Sequence, residues 1–518
     1  MELTLADVVE GLTGWRPAAM DQPIADAHMD SREVVEGGLF FALQGEQLDG
    51  HTFIPEALTR GCRVVVTEQA PESGCAVVDT RNAEALCPWS SGPRTLYCPS
   101  RTCAEGPWAK GPGAFREQTS HLLPFVPGPK DQGSLQSVQE TPVCLLVPDS
   151  LGALQQLADY WRTRHTVRVI GVTGSVGKTT TKEMIATVLS QRYRVLKSER
   201  SINTATGLPL ALLHLTKAHE QAVLEIGGGY ELGEIARLAR IARPHVGVVT
   251  NVGPTHLERM GTIERIALNK AELVEALPED GVAILNADAP LVRDMAFKAQ
   301  GRVFFYGLTP DADLWANEIE SQGLEGLRFR FHHGEEVVHA KVPLLGRHSV
   351  HTALRAAAVG LIEGLSWQEI MDGLRGATQL RLLVVPGLNG STLLDDTYNS
   401  SPVSAIAALN LLDELEGHKI AVLGDMLELG SYEDKGHRKV GRRAMDVVDL
   451  LVTVGPRGRI IAEETLALGM DPEAVKIVDN NDEAIAHLRQ VIAPGDTVLV
   501  KGSRGMTMEQ IVNALSVQ

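Results

Sequence analysis

Long apolar runs are missing from this sequence. No stretch approaches the roughly 18 consecutive apolar residues that a membrane-spanning helix requires. The first residues, Met1 to Leu12, are acidic and amphipathic and do not resemble a secretory signal. We therefore expect a cytoplasmic protein with no membrane span.

Positive charge is also scarce. The chain has 48 Lys and Arg residues against 65 Asp and Glu residues, which gives a formal net charge of −17. A general nucleic-acid-binding protein normally presents a basic face, so this balance argues against one. It does not exclude anionic ligands, because backbone amides and a few placed cations bind phosphate inside an acidic protein.

Cysteine is rare, and its spacing shows no clear metal site. Five of the six cysteines lie from Cys75 to Cys144. Cys98 and Cys103 have four residues between them, but no second Cys/His pair at zinc-ligand spacing follows nearby. A metal knuckle and a disulfide are the alternatives for this pair; we expect unpaired thiols.

The length of the chain and its pattern of elements predict an α/β protein of about three domains, since 518 residues are too many for one hydrophobic core. The pattern over residues 1–165 indicates a small α/β domain. Within this domain, the Pro- and Gly-rich composition of residues 82–141 predicts a disordered insertion. Residues 166–378 predict a P-loop-type parallel sheet with an antiparallel side sheet. Residues 379–518 predict a second doubly wound, Rossmann-like domain.

The strongest motif lies between a predicted strand and a predicted helix. It reads Gly171-Val-Thr-Gly174-Ser175-Val176-Gly177-Lys178-Thr179-Thr180. Glycines allow the backbone to wrap around a phosphate group with its N–H groups pointing inward, and the helix N-terminus adds a favourable dipole. Lys178 can reach the terminal phosphates, and the Thr179 hydroxyl can ligate Mg²⁺. Position 172 holds Val where the general P-loop pattern has its first Gly.

A second group of polar residues follows two neighbouring predicted strands. Glu225 ends one strand, Asn251 ends another, and His256 lies in the loop that follows. The ends of adjacent parallel strands converge on the crevice where an α/β sheet binds its ligand. A carboxylate and an imidazole at that place can hold a divalent ion beside the γ-phosphate.

These motifs resemble those of the Mur ligase family of ATP-dependent amide ligases. The matching segments are Thr173-Gly-Ser-Val-Gly-Lys-Thr-Thr180, Thr250-Asn-Val-Gly-Pro-Thr-His-Leu257 and Lys270-Ala-Glu272. Further segments are similar to the branch of the family that adds a dipeptide: Asp30-Ser-Arg32, Gly38-Leu-Phe-Phe-Ala-Leu-Gln-Gly45, Asp49-Gly-His51, Asp395-Asp-Thr-Tyr-Asn-Ser-Ser-Pro402 and Leu423-Gly-Asp-Met-Leu-Glu-Leu-Gly430. The resemblance covers nearly the whole chain outside the Pro-rich stretch.

The resemblance implies an enzyme of peptidoglycan precursor synthesis. It would use ATP and Mg²⁺ to join D-alanyl-D-alanine to a UDP-N-acetylmuramoyl-tripeptide through an acyl phosphate. The N-terminal domain would hold the UDP end of the precursor and the central domain would bind ATP. The C-terminal domain would close over the site and exclude water. We expect the enzyme to act as a monomer.

The resemblance also implies a role for particular residues. The expected catalytic residues are Lys178, His256 and Lys270. Lys270 matches a family lysine that is carbamylated, and the expected metal ligands are Thr179, Glu225, His256 and Lys270. The expected ATP-binding residues are Gly174, Ser175, Val176, Gly177, Lys178, Thr179, Thr180, Asn286, Asp288 and Arg381. The expected substrate-binding residues are Ser31, Arg32, Asp396, Tyr398 and Asn399.

Several positions depart from the family pattern and keep alternatives open. Ser349, Thr352 and Ser401 stand where asparagine is common in the family, and Asn203-Thr204 retains only part of an Asn-Asn motif. A Mur-type ligase that adds an amino acid is one alternative. A folylpolyglutamate synthase is another, but it would leave the N-terminal domain unexplained. The third is a paralogue that binds nucleotide without catalysis, and retention of the loop lysine and the expected metal ligands argues against it.

Overall fold

The computed structural model describes residues 1–17, 20–45, 48–71, 75–81, 141–198, 203–228, 230–376 and 382–517. The chain divides into two compact units, Met1–Arg164 with Leu212–Thr216, and His165–Ala211 with Lys217–Gln518. Except for Thr141, the predicted insertion at 82–141 lies outside the described residues, as do Cys98 and Cys103.

The first unit is built on a parallel five-stranded sheet. Its strands are β1 (Ala27–His28), β2 (Leu39–Phe41), β3 (Val64–Thr67), β4 (Ala76–Asp79) and β5 (Val143–Leu146). The order is β1-β2-β3-β5-β4, and every neighbouring pair is parallel. Strands β2, β3 and β5 are buried along their whole length, which explains their continuous apolar sequence. The accompanying helices are α1 (Leu5–Thr13), α2 (Ile54–Thr59) and α3 (Ser150–Thr163).

Cysteines join two neighbouring strands of this sheet. A disulfide connects Cys75, just before β4, to Cys144 on β5, with the two Cα atoms 6.0 Å apart. Cys62 is a free thiol, 1% exposed, in the same unit. Burial raises the pKa of the Cys62 thiol to about 12, so this thiol remains protonated at neutral pH.

The second unit begins with a nine-stranded mixed sheet. Its strands are β6 (Arg168–Thr173), β7 (Val195–Lys197), β8 (Gln221–Glu225), β9 (Val246–Val249), β10 (Val282–Asn286), β11 (Arg302–Gly307), β12 (Leu314–Ser321), β13 (Leu327–His333) and β14 (Glu336–Val342). The order is β14-β13-β12-β11-β10-β9-β6-β8-β7. The pairs from β7 to β12 are parallel, while β12, β13 and β14 pair antiparallel. A parallel sheet with an antiparallel side sheet is the predicted arrangement.

Eight helices lie between or after the strands of the nine-stranded sheet in the described part of the chain. They are α4 (Lys178–Leu189), α5 (Gly207–Leu213), α6 (Glu234–Ala242), α7 (Leu257–Met260), α8 (Ile263–Glu275), α9 (Pro290–Arg293), α10 (Val350–Ile362) and α11 (Trp367–Gly376). Apolar residues of α4 and α10 share one buried core with the strands, including Ile185, Val188, Leu354 and Val359. This core fixes the first turns of both helices beside the ends of the strands.

The same unit contains a six-stranded sheet. Its strands are β15 (Leu383–Pro386), β16 (Thr392–Asp395), β17 (Lys419–Gly424), β18 (Leu450–Val454), β19 (Val475–Val478) and β20 (Thr497–Lys501). The order is β15-β16-β20-β17-β18-β19, parallel except at the β15 edge. Its helices are α12 (Pro402–Asp413), α13 (Glu433–Val447), α14 (Gly458–Ala467), α15 (Asn481–Val491) and α16 (Glu509–Leu515). The fold is α/β, as predicted, and none of the helices in the described ranges is long and apolar enough to span a membrane.

Candidate active site

A cleft of about 570 Å³ opens in the second unit, at the carboxyl ends of its parallel strands. Its lining comes from the loop between β6 and α4, the ends of β8 and β9, the start of α10, and loops of the six-stranded sheet. Open α/β sheets bind ligands at this edge. The predicted loop residues 175–180 lie together in the cleft with Glu225, His256 and Asn286.

The loop after β6 is held in place by the end of β9. The Val176 N–H donates to Asn251 Oδ1 (2.9 Å), and the Thr250 hydroxyl donates to the Val176 carbonyl (2.7 Å). Gly174 has φ +140°, and a Cβ there would lie 2.0 Å from Thr250 Oγ1, so only glycine fits this approach. The loop is therefore pre-organised, with Gly177 as the N-cap of α4.

Thr179 connects the loop to the neighbouring strand. Its hydroxyl donates to Glu225 Oε2 (2.8 Å), and Asn203 Nδ2 donates to Glu225 Oε1 (2.5 Å). Thr179 is 7% exposed and Glu225 is 2% exposed. The structure thus brings two of the expected metal ligands, Thr179 and Glu225, into direct contact, and Asn203 orients the carboxylate from a separate segment.

Lys178 folds back over its own loop. Its Nζ donates to the carbonyl oxygens of Gly174 (2.9 Å) and Ser175 (3.5 Å). The ammonium group thus lies against the loop itself, and in P-loop proteins the corresponding lysine meets the terminal phosphates of a nucleotide.

His256 lines the cleft in a left-handed backbone conformation, with φ +55°. Its Nδ1 lies 2.6 Å from Glu428 Oε2, which follows β17 in the six-stranded sheet. The hydrogen-bonding contact with His256, opposed by burial, keeps the pKa of the Glu428 carboxyl below its usual range. His256 lines the cleft, but its ring faces Glu428, which was not among the expected metal ligands.

Lys270 lies on α8 and is 2% exposed. Its Nζ donates to the Gly228 carbonyl and to Asn269 Oδ1 (3.1 Å). Burial, followed by the nearby positive charge of Lys178, lowers the pKa of Lys270 to about 7. The burial of Lys270 therefore favours the unprotonated, nucleophilic form of this amine. Lys270 does not contribute to the cleft lining.

The oxygen donors of Thr179 and Glu225 suit a hard divalent cation such as Mg²⁺. Within the described ranges, no three His, Cys, Asp or Glu side chains form a group that could hold a metal. A magnesium site here would therefore depend on hydroxyl and substrate oxygens as well as on carboxylates, which is usual for Mg²⁺ bound with nucleotide.

The two residues of the predicted adenine-side segment differ in position. Asn286, at the end of β10, lines the cleft, and its side chain accepts a hydrogen bond from the Asp288 N–H (2.9 Å). The Asp288 carboxylate accepts from the Leu308 N–H (3.0 Å) and contacts His351 Nε2 (2.9 Å). Asp288 therefore positions His351, while Asn286 and His351 line the cleft. Arg381 lies outside the described residues.

The predicted amine-site residues line the same cleft. Lys501, at the end of β20, donates to Asp396 Oδ2 (2.6 Å) and to the Asn399 carbonyl (2.8 Å). Lys501 is 2% exposed, so a buried ion pair links the end of β16 to the end of β20. Tyr398 is 42% exposed, with the Arg504 guanidinium 5.8 Å from its ring.

Ser31 and Arg32 lie in the first unit. The Ser31 hydroxyl donates to Glu56 Oε2 (2.7 Å), and Ser31 is 4% exposed. Arg32 is solvent-exposed and pairs with Asp30 (2.6 Å), which lowers the pKa of the Asp30 carboxyl to about 2. The Arg32 guanidinium is thus accessible to a ligand, whereas the Ser31 hydroxyl is already hydrogen-bonded inside the unit.

Three of the positions that depart from the family pattern have local structural roles. Ser401 caps α12, because its hydroxyl accepts from the Ser404 N–H in a capping box. The Ser349 hydroxyl donates to the Leu345 carbonyl (2.7 Å), and Thr352 Oγ1 accepts from Arg355 Nη2 (2.9 Å).

Glu428 and Arg355 also line the cleft, but neither was among the site residues expected from the sequence. Glu428 lies in one of the segments that resemble the family, but the sequence did not show that it would meet His256. Arg355 had a sequence signal, since it interrupts an apolar helix of the form Ala-Leu-Arg-Ala-Ala-Ala-Val.

Comparison with known proteins identifies the class to which this fold and cleft belong. The Mur ligase middle domain matches residues 172–360, the Mur ligase glutamate ligase domain matches 380–504, and the Mur ligase catalytic domain matches 24–88. The chain belongs to the Mur ligase family.

Its curated relatives are more specific. The chain is 34% identical to the UDP-N-acetylmuramoyl-tripeptide–D-alanyl-D-alanine ligase of Bacillus subtilis, over 99% of this chain and 97% of the relative. It is 32% identical to the ligase of the same name from Synechocystis, over 94% and 90% of the two chains.

Solved structures named MurF have a fold similar to that of this chain. Crystal structure I of MurF from Acinetobacter baumannii has a TM-score of 0.76 and 26% identity, covering 98% of this chain and 97% of that one. MurF from Thermotoga maritima in complex with ADP has a TM-score of 0.71 and 25% identity, covering 94% and 96%.

Proposed function

We propose that this chain is an ATP-dependent amide ligase that joins D-alanyl-D-alanine to a UDP-N-acetylmuramoyl-tripeptide. The observation that carries this proposal is the hydrogen bond from Thr179, beside the loop lysine, to the buried carboxylate of Glu225. This pairing combines a phosphate-binding loop with hard oxygen donors in one cleft. The full-length relatives that bear this activity in their names support the choice of substrates.

The reaction needs activation, because a carboxylate and an amine do not condense in water unaided. ATP transfers its γ-phosphoryl group to the terminal carboxylate of the tripeptide, giving an acyl phosphate and ADP. The dipeptide amine then attacks the acyl carbon, loses a proton, and expels inorganic phosphate as the amide forms. Phosphoryl transfer of this kind depends on positioning and charge neutralisation more than on a protein nucleophile.

Residues of the loop would bind the phosphates. We assign ATP binding to the backbone of Gly174 to Gly177 and to Lys178, Thr179 and Thr180. Lys178 would neutralise charge at the transferred phosphoryl group. Thr179, Glu225, His256 and a carbamylated Lys270 would hold Mg²⁺, which supplies further charge neutralisation when bound. The unprotonated fraction of Lys270 near pH 7 is the form that reacts with CO₂.

Other residues would bind the rest of the substrates. We assign Asn286, Asp288 and Arg381 to the adenine side of ATP, with Asp288 acting through His351. Asp396, Tyr398 and Asn399 would receive the dipeptide, and the ion pair of Asp396 with Lys501 would fix that loop. Arg32 would meet a phosphate or the nucleotide of the precursor, with Ser31 supporting its turn.

We also propose the wider setting of this activity. The domain boundaries would be 1–165, 166–378 and 379–518, one for each of the precursor, ATP and ligase functions. The enzyme would act as a cytoplasmic monomer in peptidoglycan precursor synthesis.

Phosphate release from Mg²⁺-ATP tests the proposal. The assay contains UDP-N-acetylmuramoyl-tripeptide with lysine or diaminopimelate as third residue, with and without D-alanyl-D-alanine. We expect release only with both substrates, together with a ligated product of matching mass. Release with single amino acids in place of the dipeptide would overturn the amine assignment. Intact ATP binding without release under any of these conditions would overturn the catalytic assignment.

A further inference from the structure

Arg355 is a buried cation beside the phosphate loop. It lies on α10, one turn after Thr352, and is 4% exposed. Its neighbours along the helix, from Ala353 to Val359, are buried apolar residues. A charged side chain at such a position is rare unless an opposite charge or several hydrogen bonds compensate for its lost hydration.

In the protein without a ligand, the lost hydration of the Arg355 charge is only partly compensated. Arg355 Nη2 donates to Thr352 Oγ1 (2.9 Å), but the buried Nε has no hydrogen-bond partner. Across the described parts of the chain, no carboxylate forms an ion pair with Arg355. Tyr306 is the other polar neighbour: its ring is centred 5.9 Å from the guanidinium carbon, and its hydroxyl also interacts with the guanidinium. Burial raises the pKa of the Tyr306 hydroxyl, so Tyr306 supplies a neutral partner and no opposite charge. Burial lowers the pKa of Arg355, yet a guanidinium remains protonated in proteins.

The guanidinium is directed toward the loop. Its Nη2 would lie 3.9 Å from a Cβ placed on Gly177, the left-handed N-cap of α4. Arg355 also lines the cleft together with loop residues 175–180. A helix N-terminus already carries positive partial charge, so an arginine beside it adds like charge. Both features favour an anion between them.

We propose that Arg355 is a binding residue for the phosphate chain of the nucleotide, on the Gly177 side of the loop. The proposal rests on the proposed ATP site. A guanidinium can donate two parallel hydrogen bonds to one phosphate, which a lysine cannot do. Lys178 and Arg355 would then contact the chain from two sides. Thr352, a position that departs from the family pattern, would act as the positioning residue for Arg355.

Nucleotide affinity tests this proposal with the full-length protein. Dissociation constants for adenosine, AMP and ADP are measured by calorimetry for the wild-type protein and for Arg355→Met and Arg355→Lys. The matched control is Arg375→Met, an exposed arginine on α11 that pairs with Asp372. We expect Arg355→Met to reduce the ratio of ADP to adenosine affinity at least about tenfold, with Arg355→Lys intermediate and Arg375→Met unchanged. The AMP result shows which phosphate is involved.

Thermal unfolding separates this role from a structural one. Because the Arg355 charge is poorly compensated without ligand, we expect ligand-free Arg355→Met to unfold at the same temperature as the wild type or higher. The stabilisation by ADP should be smaller than in the wild type.

Three outcomes would overturn the proposal. If Arg355→Met keeps the wild-type ratio of ADP to adenosine affinity, Arg355 does not bind phosphate, although the ATP site stands. If adenosine and ADP affinities fall equally, the residue supports the fold of the cleft instead. If the wild-type protein binds no adenine nucleotide, the proposed function fails as well.

Discussion

The burial of Lys270 predicts how much the unfolding free energy of the protein changes with pH. In the folded protein the pKa of Lys270 is lowered from 10.5 to about 7. Between these values the unfolded chain binds more protons at this side chain than the folded protein does, so the stability of the folded state rises with pH. The stability gained from the unprotonated Lys270 amine is complete only above the pKa of this group in the unfolded chain. It is lost as the pH falls to the pKa of this group in the folded protein. With these values, going from pH 9 to pH 7 costs about 2 kcal/mol of unfolding free energy.

The perturbation is Lys270→Met, which removes the titrating amine and keeps an extended apolar side chain. Urea unfolding is followed by circular dichroism at pH 7 and pH 9, in CO₂-free buffer with a metal chelator. We expect the variant to gain about 2 kcal/mol relative to the wild type between pH 9 and pH 7. The control is Lys182→Met, an equally buried lysine that lies 3.1 Å from a Glu183 carboxylate oxygen.

The same two proteins, in buffer without the chelator, test carbamylation. Adding bicarbonate and Mg²⁺ should stabilise the wild-type protein and leave Lys270→Met unchanged, because only the amine can form a carbamate. An equal loss of stability by the wild type and Lys270→Met between pH 9 and pH 7 would refute this prediction. In that case the Lys270 amine would not be the group that titrates in this range.

Three further substitutions or modifications test the site and its surroundings. Lys178→Ala should lower phosphate release at least about a hundredfold while the circular dichroism spectrum stays unchanged, and full activity in the folded variant would contradict its role. Glu225→Gln should raise the Mg²⁺ concentration for half-maximal activity at least about tenfold; an unchanged requirement would remove Glu225 from the metal site. Cys62, with a pKa of about 12, should resist iodoacetamide at pH 8 in the native protein and react in urea, as measured by peptide mass mapping.

The sequence was most informative where local chemistry determines the structure. The motif from Gly171 to Thr180 predicted a strand, a loop and a helix, and β6 and α4 occupy those places. The family prediction is confirmed by the three matching family models and by the relatives. The antiparallel side sheet was also predicted, because polar and apolar residues alternate along β12, β13 and β14.

Tertiary contacts account for what the sequence did not predict. The edge strand β15 does not alternate between buried and exposed residues, because Leu383 and Val384 are both exposed. Only its pairing with β16 defines it as a strand. The burial of Lys270 depends on the Gly228 carbonyl, 42 residues away in the chain. The pairing of His256 with Glu428 joins residues from segments carrying different sheets. Such contacts leave no periodicity in the sequence.

The position of β20 in the six-stranded sheet affects how the chain can fold during translation. β20 lies between β16 and β17, although it is synthesised after both of them. Until β20 leaves the ribosome, buried residues of these strands such as Leu394 and Val422 lack their central neighbour. Apolar strand edges that remain unpaired are prone to aggregation. A nascent chain stalled before Thr497 would therefore be a natural substrate for chaperones, and the ion pair of Lys501 with Asp396 could form only after β20 emerges.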